Sequence, residues 1–439
     1  MSQKKLMLLG GIRYLLPVIE VAHKLGAYVI TADYLPDNIA HKYSDEYVNV
    51  SIIDREAVLK VAQEKQIDGI LSFGVDPGVV TAAYVADKMG LAFPPLESVE
   101  KLQNKDKFRD FLLANGFNCP WHKGYASKEE AMQEWRSGGV GSGGVRSGGV
   151  GSGGVRSGGV RSGGVRSGGV GSGGVGKFPV IVKPVDSAGS KGCRRVDSFD
   201  ELSDAIDSAI SESHNGRFII EQFLEHVGHS SDTDCFSIDD ELVYCSFDCQ
   251  YFDAKANNPY TPSGYSWPSD MSAVAQRELR GELARLVKLL HMGTSIYNVE
   301  TRFASDGKPY IMEFTPRGGG NRLSEILGMA AGQDLISNCV CAALRLPVVP
   351  MTDPVYDGHW AEVIVHSNKG GKYAGLQMPP DFKVAHVVQE DMWVKPGDTV
   401  EEFTGANKTI GTLVLRFDTH AEAERALDTV DEWLKVEVS

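Results

Sequence analysis

The sequence predicts an α/β protein that opens with a doubly wound parallel sheet. Short β-branched runs alternate with amphipathic stretches through the first hundred residues. Two glycines close the first strand-to-helix turn, and two later strands flank an Asp306-Gly307 turn as a hairpin.

In chain order, Lys5 to Leu9 is an apolar strand, Gly10-Gly11 a turn and Leu15 to Leu25 a helix. A strand from Tyr28 to Ala32 ends at Asp33. The pattern continues with a strand Val48 to Ile52, a helix Arg55 to Lys65, a strand Gly69 to Phe73 and a helix Val79 to Met89. Gly10-Gly11 with Asp33 loosely fits a dinucleotide fingerprint, but the third glycine is missing and a tight turn accounts for both glycines. No NAD site is expected.

A helix from Val99 to Ala114 carries Lys105 and Arg109, and Gly116 and Pro120 end it. Ser127-Lys128-Glu129-Glu130 is a capping box that opens a helix toward Trp135. Residues 136–175 are eight pentapeptides, Arg-Ser-Gly-Gly-Val or Gly-Ser-Gly-Gly-Val. Such a segment has too much glycine entropy and too little apolar surface to pack, so a flexible surface loop is expected. A strand Phe178 to Lys183, a helix Phe199 to Ser213 and a strand Arg217 to Phe223 follow. Tyr251 to Pro268, rich in tyrosine and proline, reads as irregular. Beyond it come a helix Ala273 to Leu290, the hairpin Ile296 to Phe303 with Tyr310 to Phe314, and a helix near Asp334 to Leu346. The last ninety residues read as a small α/β unit closed by a helix Ala421 to Leu434. The expected divisions are 1–98, a linker helix 99–126, 127–230 with the repeat inside it, 231–350 and 351–439.

Composition excludes some functions. The net charge is -14, from 44 Lys+Arg against 58 Asp+Glu, without a basic cluster for nucleic acid. No apolar run reaches the roughly 20 residues of a membrane helix. The N-terminal segment runs into Gly10-Gly11 without the h-region and cleavage site of a signal peptide. Seven cysteines lack paired metal-site spacing, which fits reduced thiols in the cytoplasm.

Chemistry concentrates in two places. The strand ending at Lys183-Pro184 runs into Asp186-Ser-Ala-Gly-Ser-Lys-Gly192, where unhindered amides can cradle phosphate oxygens while Lys183 neutralises charge. Alone, this is as readily a plain hairpin loop. Glu300 and Glu313 sit on the two hairpin strands, and paired hard oxygens suit magnesium. Arg317 and Arg322 flank Gly318-Gly319-Gly320 and offer two forks for an anion. Alone, an ordinary charged surface hairpin is the commoner explanation.

In this order and spacing the elements resemble the ATP-grasp superfamily over essentially the whole chain outside the repeat. The C-terminal segments Asp391 to Gly397 and Ala406 to Thr412 are similar to its carbamoyl-phosphate synthetase and biotin carboxylase branch. The resemblance implies two α+β subdomains clasping ATP, between the N-terminal sheet domain and a small C-terminal α/β unit. It implies nucleotide contacts from Lys105 and Lys183, a phosphate lid of Asp186, Ser187, Ala188, Gly189, Ser190, Lys191 and Gly192, and an adenine segment of Glu221, Gln222, Phe223 and Leu224. The ribose position falls at His229, or at Glu225 with an offset. Glu300, Glu313 and Thr315 match the Mg2+ (or Mn2+) ligands, Thr315 standing where the family's Glu-x-Asn-Pro-Arg has asparagine. Arg317 and Arg322 match the catalytic arginines, for the transferring phosphoryl and the substrate carboxylate.

The activity implied is ATP-dependent, ADP-forming ligation, in which a small carboxylate becomes an acyl phosphate for attack by an amine or similar nucleophile. A carboxylase or carbamoyl-type enzyme and a non-catalytic nucleotide-binding protein are the alternatives. The expected partners are small-molecule carboxylate and amine substrates, and a homodimer is compatible; no nucleic acid or membrane is expected. Asn258 to Pro268 falls where the family lines its second-substrate pocket. His291, His359 and His366 are isolated, and none is assigned as a base.

Overall fold

In the computed structural model, which describes residues 3–138, 176–187, 189–225 and 227–439, the first four strands are all parallel. Their order is Glu46–Asn49, Tyr28–Asp33, Lys5–Leu9, Gly69–Ser72. Leu6, Met7, Leu8 and Leu9 are fully buried, as a central strand covered on both faces requires. The helix Arg55–Lys65 starts where the Asp54 side chain accepts the Ala57 N–H and ends at Gln66, in the left-handed region at φ 53°. A Cβ on Gly11 would come within 2.5 Å of Asn38 and His41. Close packing of the turn therefore explains that glycine.

The third strand, expected at Val48 to Ile52, lies earlier because Ile52 and Ile53 already turn into the Asp54 cap. The helix expected at 99–114 is two helices, Leu96–Leu102 and Lys105–Ala114. The Asn104 side chain accepts the Lys107 N–H and restarts the chain as a new helix.

The described chain falls into two compact units, one of Met1–Pro120, Val185–Lys191 and Leu224–Ser439, the other of Trp121–Pro184 and Gly192–Phe223. Repeat residues 139–175 and Ala188 of the expected lid lie outside the described residues.

The larger unit holds an antiparallel sheet in the order Glu241–Cys245, Ser231–Ile238, Ser295–Phe303, Pro309–Thr315. Strand alternation packs Tyr297, Val299 and Phe314 with Leu279, Leu283 and Leu286 of the helix Ala273–Leu289, which leaves Asn298 and Glu300 for the opposite face. A five-stranded sheet follows, ordered Cys249–Phe252, Pro262–Trp267, His359–Val365, Gly411–Phe417, Val387–Met392. The stretch expected to be irregular thus contains a strand, with Tyr265 and Trp267 buried on it. A helix Leu323–Ala331 precedes the expected one, which is Leu335–Ala343. The closing helix is broken into His420–Asp428 and Val430–Trp433. Lys435–Val438 then pairs as a strand with Gly371–Gln377.

The smaller unit is an antiparallel sheet in the order His122–Tyr125, Phe218–Gln222, Val180–Pro184, Arg194–Val196, carrying the helices Lys128–Gly138 and Phe199–Ser211. Trp135, Val180, Val182, Ile206, Phe218 and Ile220 form its core. Among the described residues, no helix is long and apolar enough to cross a membrane.

Candidate active site

On the face of the hairpin sheet away from the helix Ala273–Leu289, Glu300 stands directly opposite Glu313 on one side and Asp232 on the other. Two residues along, Asn298 stands opposite Thr315 and Asp234. The result is two cross-strand rows of oxygen-bearing side chains on one face. The sequence-expected ligands Glu300, Glu313 and Thr315 are together. Asp232, Asp234 and Asn298, missed in the sequence, complete the rows. Their signal was the period-two spacing of Asp232-Thr-Asp234 and Asn298-Val-Glu300.

The two aspartates differ. Asp234 is fully buried and accepts from Ser324 Oγ, from the Gly319 N–H at 2.8 Å and from Asn298 Nδ2 at 3.3 Å. It anchors the glycine turn that follows the hairpin. Asp232 accepts the Tyr265 hydroxyl at 3.2 Å and lies beside the Asn298 amide. Burial first, then the charge of Glu300, pushes the Asp232 carboxyl up to about 7. A divalent cation on this face would add positive charge beside the carboxylates, and hard carboxylate donors fit magnesium. Asn298 places an amide beside Thr315, one strand from where the family pattern has it.

Lys105, at the start of its helix, has its Nζ 3.3 Å from Glu313 Oε1 and donates to the Ser187 carbonyl at 2.8 Å. The lid segment is tied at a second point, where Asn258 Nδ2 donates to the Ser190 carbonyl at 3.1 Å. Gly189 and Ser190 both adopt positive φ, which curls the backbone between the two ties. Asp186, Ser187, Gly189, Ser190 and Lys191 belong to the larger unit, whereas Gly192 belongs to the smaller.

In the smaller unit, Lys183 Nζ lies 3.0 Å from Glu221 Oε2, and the two side chains are only 10% and 1% exposed. Glu221, expected against adenine, is instead committed to the lysine. The Gln222 N–H bonds the Trp121 carbonyl, while the Phe223 N–H and Gln222 Nε2 both bond the Pro179 carbonyl. Those donors hold the strand end in place. Leu224 belongs to the larger unit and packs against Ala304, Tyr310 and Met312.

Arg317 donates through Nε and Nη2 to Asp76 Oδ1 at 3.1 and 2.7 Å, so a turn of the N-terminal sheet fixes its fork. A Cβ on Gly318 would meet the Phe73 ring at 2.2 Å, which explains the glycine beside it. Arg322 is held by Glu325, at 3.2 Å through two contacts, and by Gln389. His229, expected at the ribose, has its Nδ1 3.0 Å from Asp270 Oδ2, and the Asp270 N–H bonds Cys249 Sγ. Asp76 was not singled out in the sequence, and Asn258 only as the start of the expected second-substrate segment, since their partners lie far along the chain.

A family model described as the carbamoyl-phosphate synthase L chain, ATP binding domain, matches residues 174–248. The whole chain superposes on the L-amino acid ligase of Bacillus licheniformis with a TM-score of 0.76 at 18% identity, covering 100% of both chains. It has the ATP-grasp fold. Phosphoribosylglycinamide synthetase from Anaerococcus prevotii matches at a TM-score of 0.70 and 18% identity, again over 100% of both chains. The biotin carboxylase domain dimer of the Hydrogenobacter thermophilus 2-oxoglutarate carboxylase, in complex with MgADP, ADP and bicarbonate, matches at 0.69 and 13% identity, covering 100% of this chain and 91% of that one. No curated protein sequence matches the chain.

Proposed function

We propose that the chain is an ATP-dependent, ADP-forming ligase that turns a small carboxylate into an acyl phosphate for attack by an amine or similar nucleophile. The observation that carries this is the row Asp232, Glu300, Glu313, with Lys105 bonded to both Glu313 and the lid carbonyl of Ser187. Glu300 and Glu313 would hold Mg2+ (or Mn2+), with Thr315 and Asn298 in the adjoining row. Magnesium-ATP supplies the phosphoryl group.

The chain's own residues then have distinct tasks. Lys105 and Lys183 neutralise phosphate charge, which is the main demand of phosphoryl transfer. Amides of the 186–192 segment bind phosphate oxygens, and the segment excludes water that would hydrolyse the acyl phosphate. Arg317, fixed by Asp76, stabilises charge on the transferring group. The Gln222 and Phe223 N–H groups are already bonded and do not contribute adenine contacts.

The carboxylase neighbour, whose complex holds bicarbonate, makes bicarbonate a second candidate for the carboxylate that is phosphorylated. The test is purified protein with Mg-ATP and a panel of small carboxylates, amines and bicarbonate. Acceptor-dependent ADP and phosphate are expected, lowered about a hundredfold or more in Glu300→Gln and Glu313→Gln. AMP and pyrophosphate, or full turnover in both variants, would contradict the proposal.

A further inference from the structure

A cleft of about 370 Å³ opens in the larger unit, away from the carboxylate rows but joined to them by the turn from Arg317 to Arg322. Three segments line it. The turn Arg13–Leu15 supplies Arg13 and Tyr14, the start of the helix Leu323–Ala331 supplies Arg322 and Glu325, and the strand Val387–Met392 with the next residue supplies Asp391 and Trp393.

The charges alternate. Arg322 pairs with Glu325, and Arg13 Nη1 lies 3.7 Å from Asp391 Oδ1. Glu390, also at the rim, is paired outward to Lys383 at 2.7 Å. That leaves two cations and two carboxylates facing one small volume, a neutral but strongly dipolar lining. A polyphosphate or other polyanion gains nothing from it. A molecule with both an anionic and a cationic group does.

The two pairs are unequal. Arg322 is spent on Glu325 and Gln389, whereas the Arg13 guanidinium lies over the Trp393 ring at 5.8 Å without a side-chain hydrogen bond to a described residue, and its ion pair is longer than a hydrogen bond. Arg13 therefore has donors to give. Asp391 is steadied by the Trp393 Nε1–H at 3.0 Å. Tyr14 and Trp393 meet edge to face at 5.9 Å, and Leu16 and Pro17 extend the apolar wall. The Tyr14 hydroxyl bonds Asn321 Oδ1 at 2.7 Å, which ties this wall to the Arg317–Arg322 turn.

We infer that this cleft binds an apolar or aromatic α-amino acid as a zwitterion, its carboxylate on Arg13, its ammonium between Asp391 and Glu325, and its side chain against Tyr14 and Trp393. The volume sits at the small end of the ~300–1,000 Å³ of ligand clefts, which suits a single amino acid. The ligand's role as second substrate rests on the ligase reading; its binding does not.

The test is calorimetric titration of the full chain with L-phenylalanine and L-leucine, beside phenyllactate, which lacks the ammonium, and phenethylamine, which lacks the carboxylate. The amino acids are expected to bind at least about tenfold more tightly than either counterpart, because each counterpart leaves charged groups unpaired. Arg13→Met should lose the amino acid but not discriminate against phenethylamine, and Asp391→Asn should do the same for phenyllactate. No binding of either amino acid at millimolar concentration, or equal binding of all four compounds, overturns the inference. Amino-acid binding without any ADP formation keeps the cleft and removes the ligase. Amino-acid-dependent ADP formation with an unchanged KM in Arg13→Met and Asp391→Asn keeps the ligase and removes the cleft.

Discussion

The two candidate phosphate lysines are each paired with a glutamate, yet the pairs are built differently. In the smaller unit, Glu221 is 1% exposed and its strand neighbours Ile219 and Ile220 are fully buried. Glu221 cannot leave Lys183 without stranding a charge in an apolar core. In the larger unit, Glu313 is 43% exposed at the end of a hairpin, and Lys105 divides itself between Glu313 and a lid carbonyl. Parting that pair leaves Glu313 in contact with water, whereas Lys105 is 15% exposed. The difference separates a lysine fixed in position from one able to exchange a protein partner for a phosphate.

The largest effect that would break this comparison comes from Glu221. Glu221→Ala should cost the smaller unit about 3–5 kcal/mol, the loss expected when a buried pair is halved. Urea unfolding, with hydrogen exchange resolving the strand Phe218–Gln222, measures it. Lys105→Ala should cost less, because the Glu313 it leaves behind is 43% exposed although Lys105 itself is 15% exposed, while ADP formation falls steeply. A large stability loss in Lys105→Ala, or none in Glu221→Ala, would invert the comparison.

Asp76 sharpens it from the arginine side. Asp76→Asn keeps a neutral acceptor for Arg317 but removes the charge that holds its fork. Turnover should fall about tenfold or more, with KM for ATP changing far less; an unchanged rate would detach Arg317 from the chemistry.

A smaller effect is expected at His229 and Asp270, a half-buried pair remote in kind from both lysines. The Asp270 hydrogen bond raises His229 from 6.5, and the same bond lowers Asp270 from 3.8. The histidine contribution is full below 6.5 and is lost as pH rises through the raised value. The aspartate contribution is present above 3.8 and is lost as pH falls through the lowered value. Asp270→Asn should therefore lose most stability near pH 5–6 and least near pH 9. A loss that does not vary with pH would contradict the pairing. The smallest effect is expected from deleting residues 139–175, which shortens one connection and should change stability by about 1 kcal/mol or less, read from thermal melts.

The sequence made local signals legible. Arg55–Lys65 could be bounded to the residue because its cap, Asp54, and its stop, at Gln66, are both local. The break at Gln103-Asn104 looked continuous because the helical pattern of apolar residues runs through it. Pro262–Trp267 was hidden by Pro262 and Gly264, and its strand partner, His359–Val365, lies about a hundred residues on. The same limit applied to the site. Glu300 and Glu313 were readable because a hairpin sets its own register, whereas Asp232 joins them only through pairing with a strand some seventy residues away. Glu221 was readable as a site glutamate, but its burial against Lys183 depends on the Val180–Pro184 pairing.

The most direct test of the account follows the oxygen. With a carboxylate substrate labelled with 18O in both oxygens, Mg-ATP and an amine acceptor, the phosphate released is analysed by mass spectrometry. An acyl phosphate formed at the Asp232–Glu300–Glu313 face predicts one 18O transferred to each phosphate, released about a hundredfold or more slowly in Glu313→Gln. Unlabelled phosphate from the unmodified chain would contradict it.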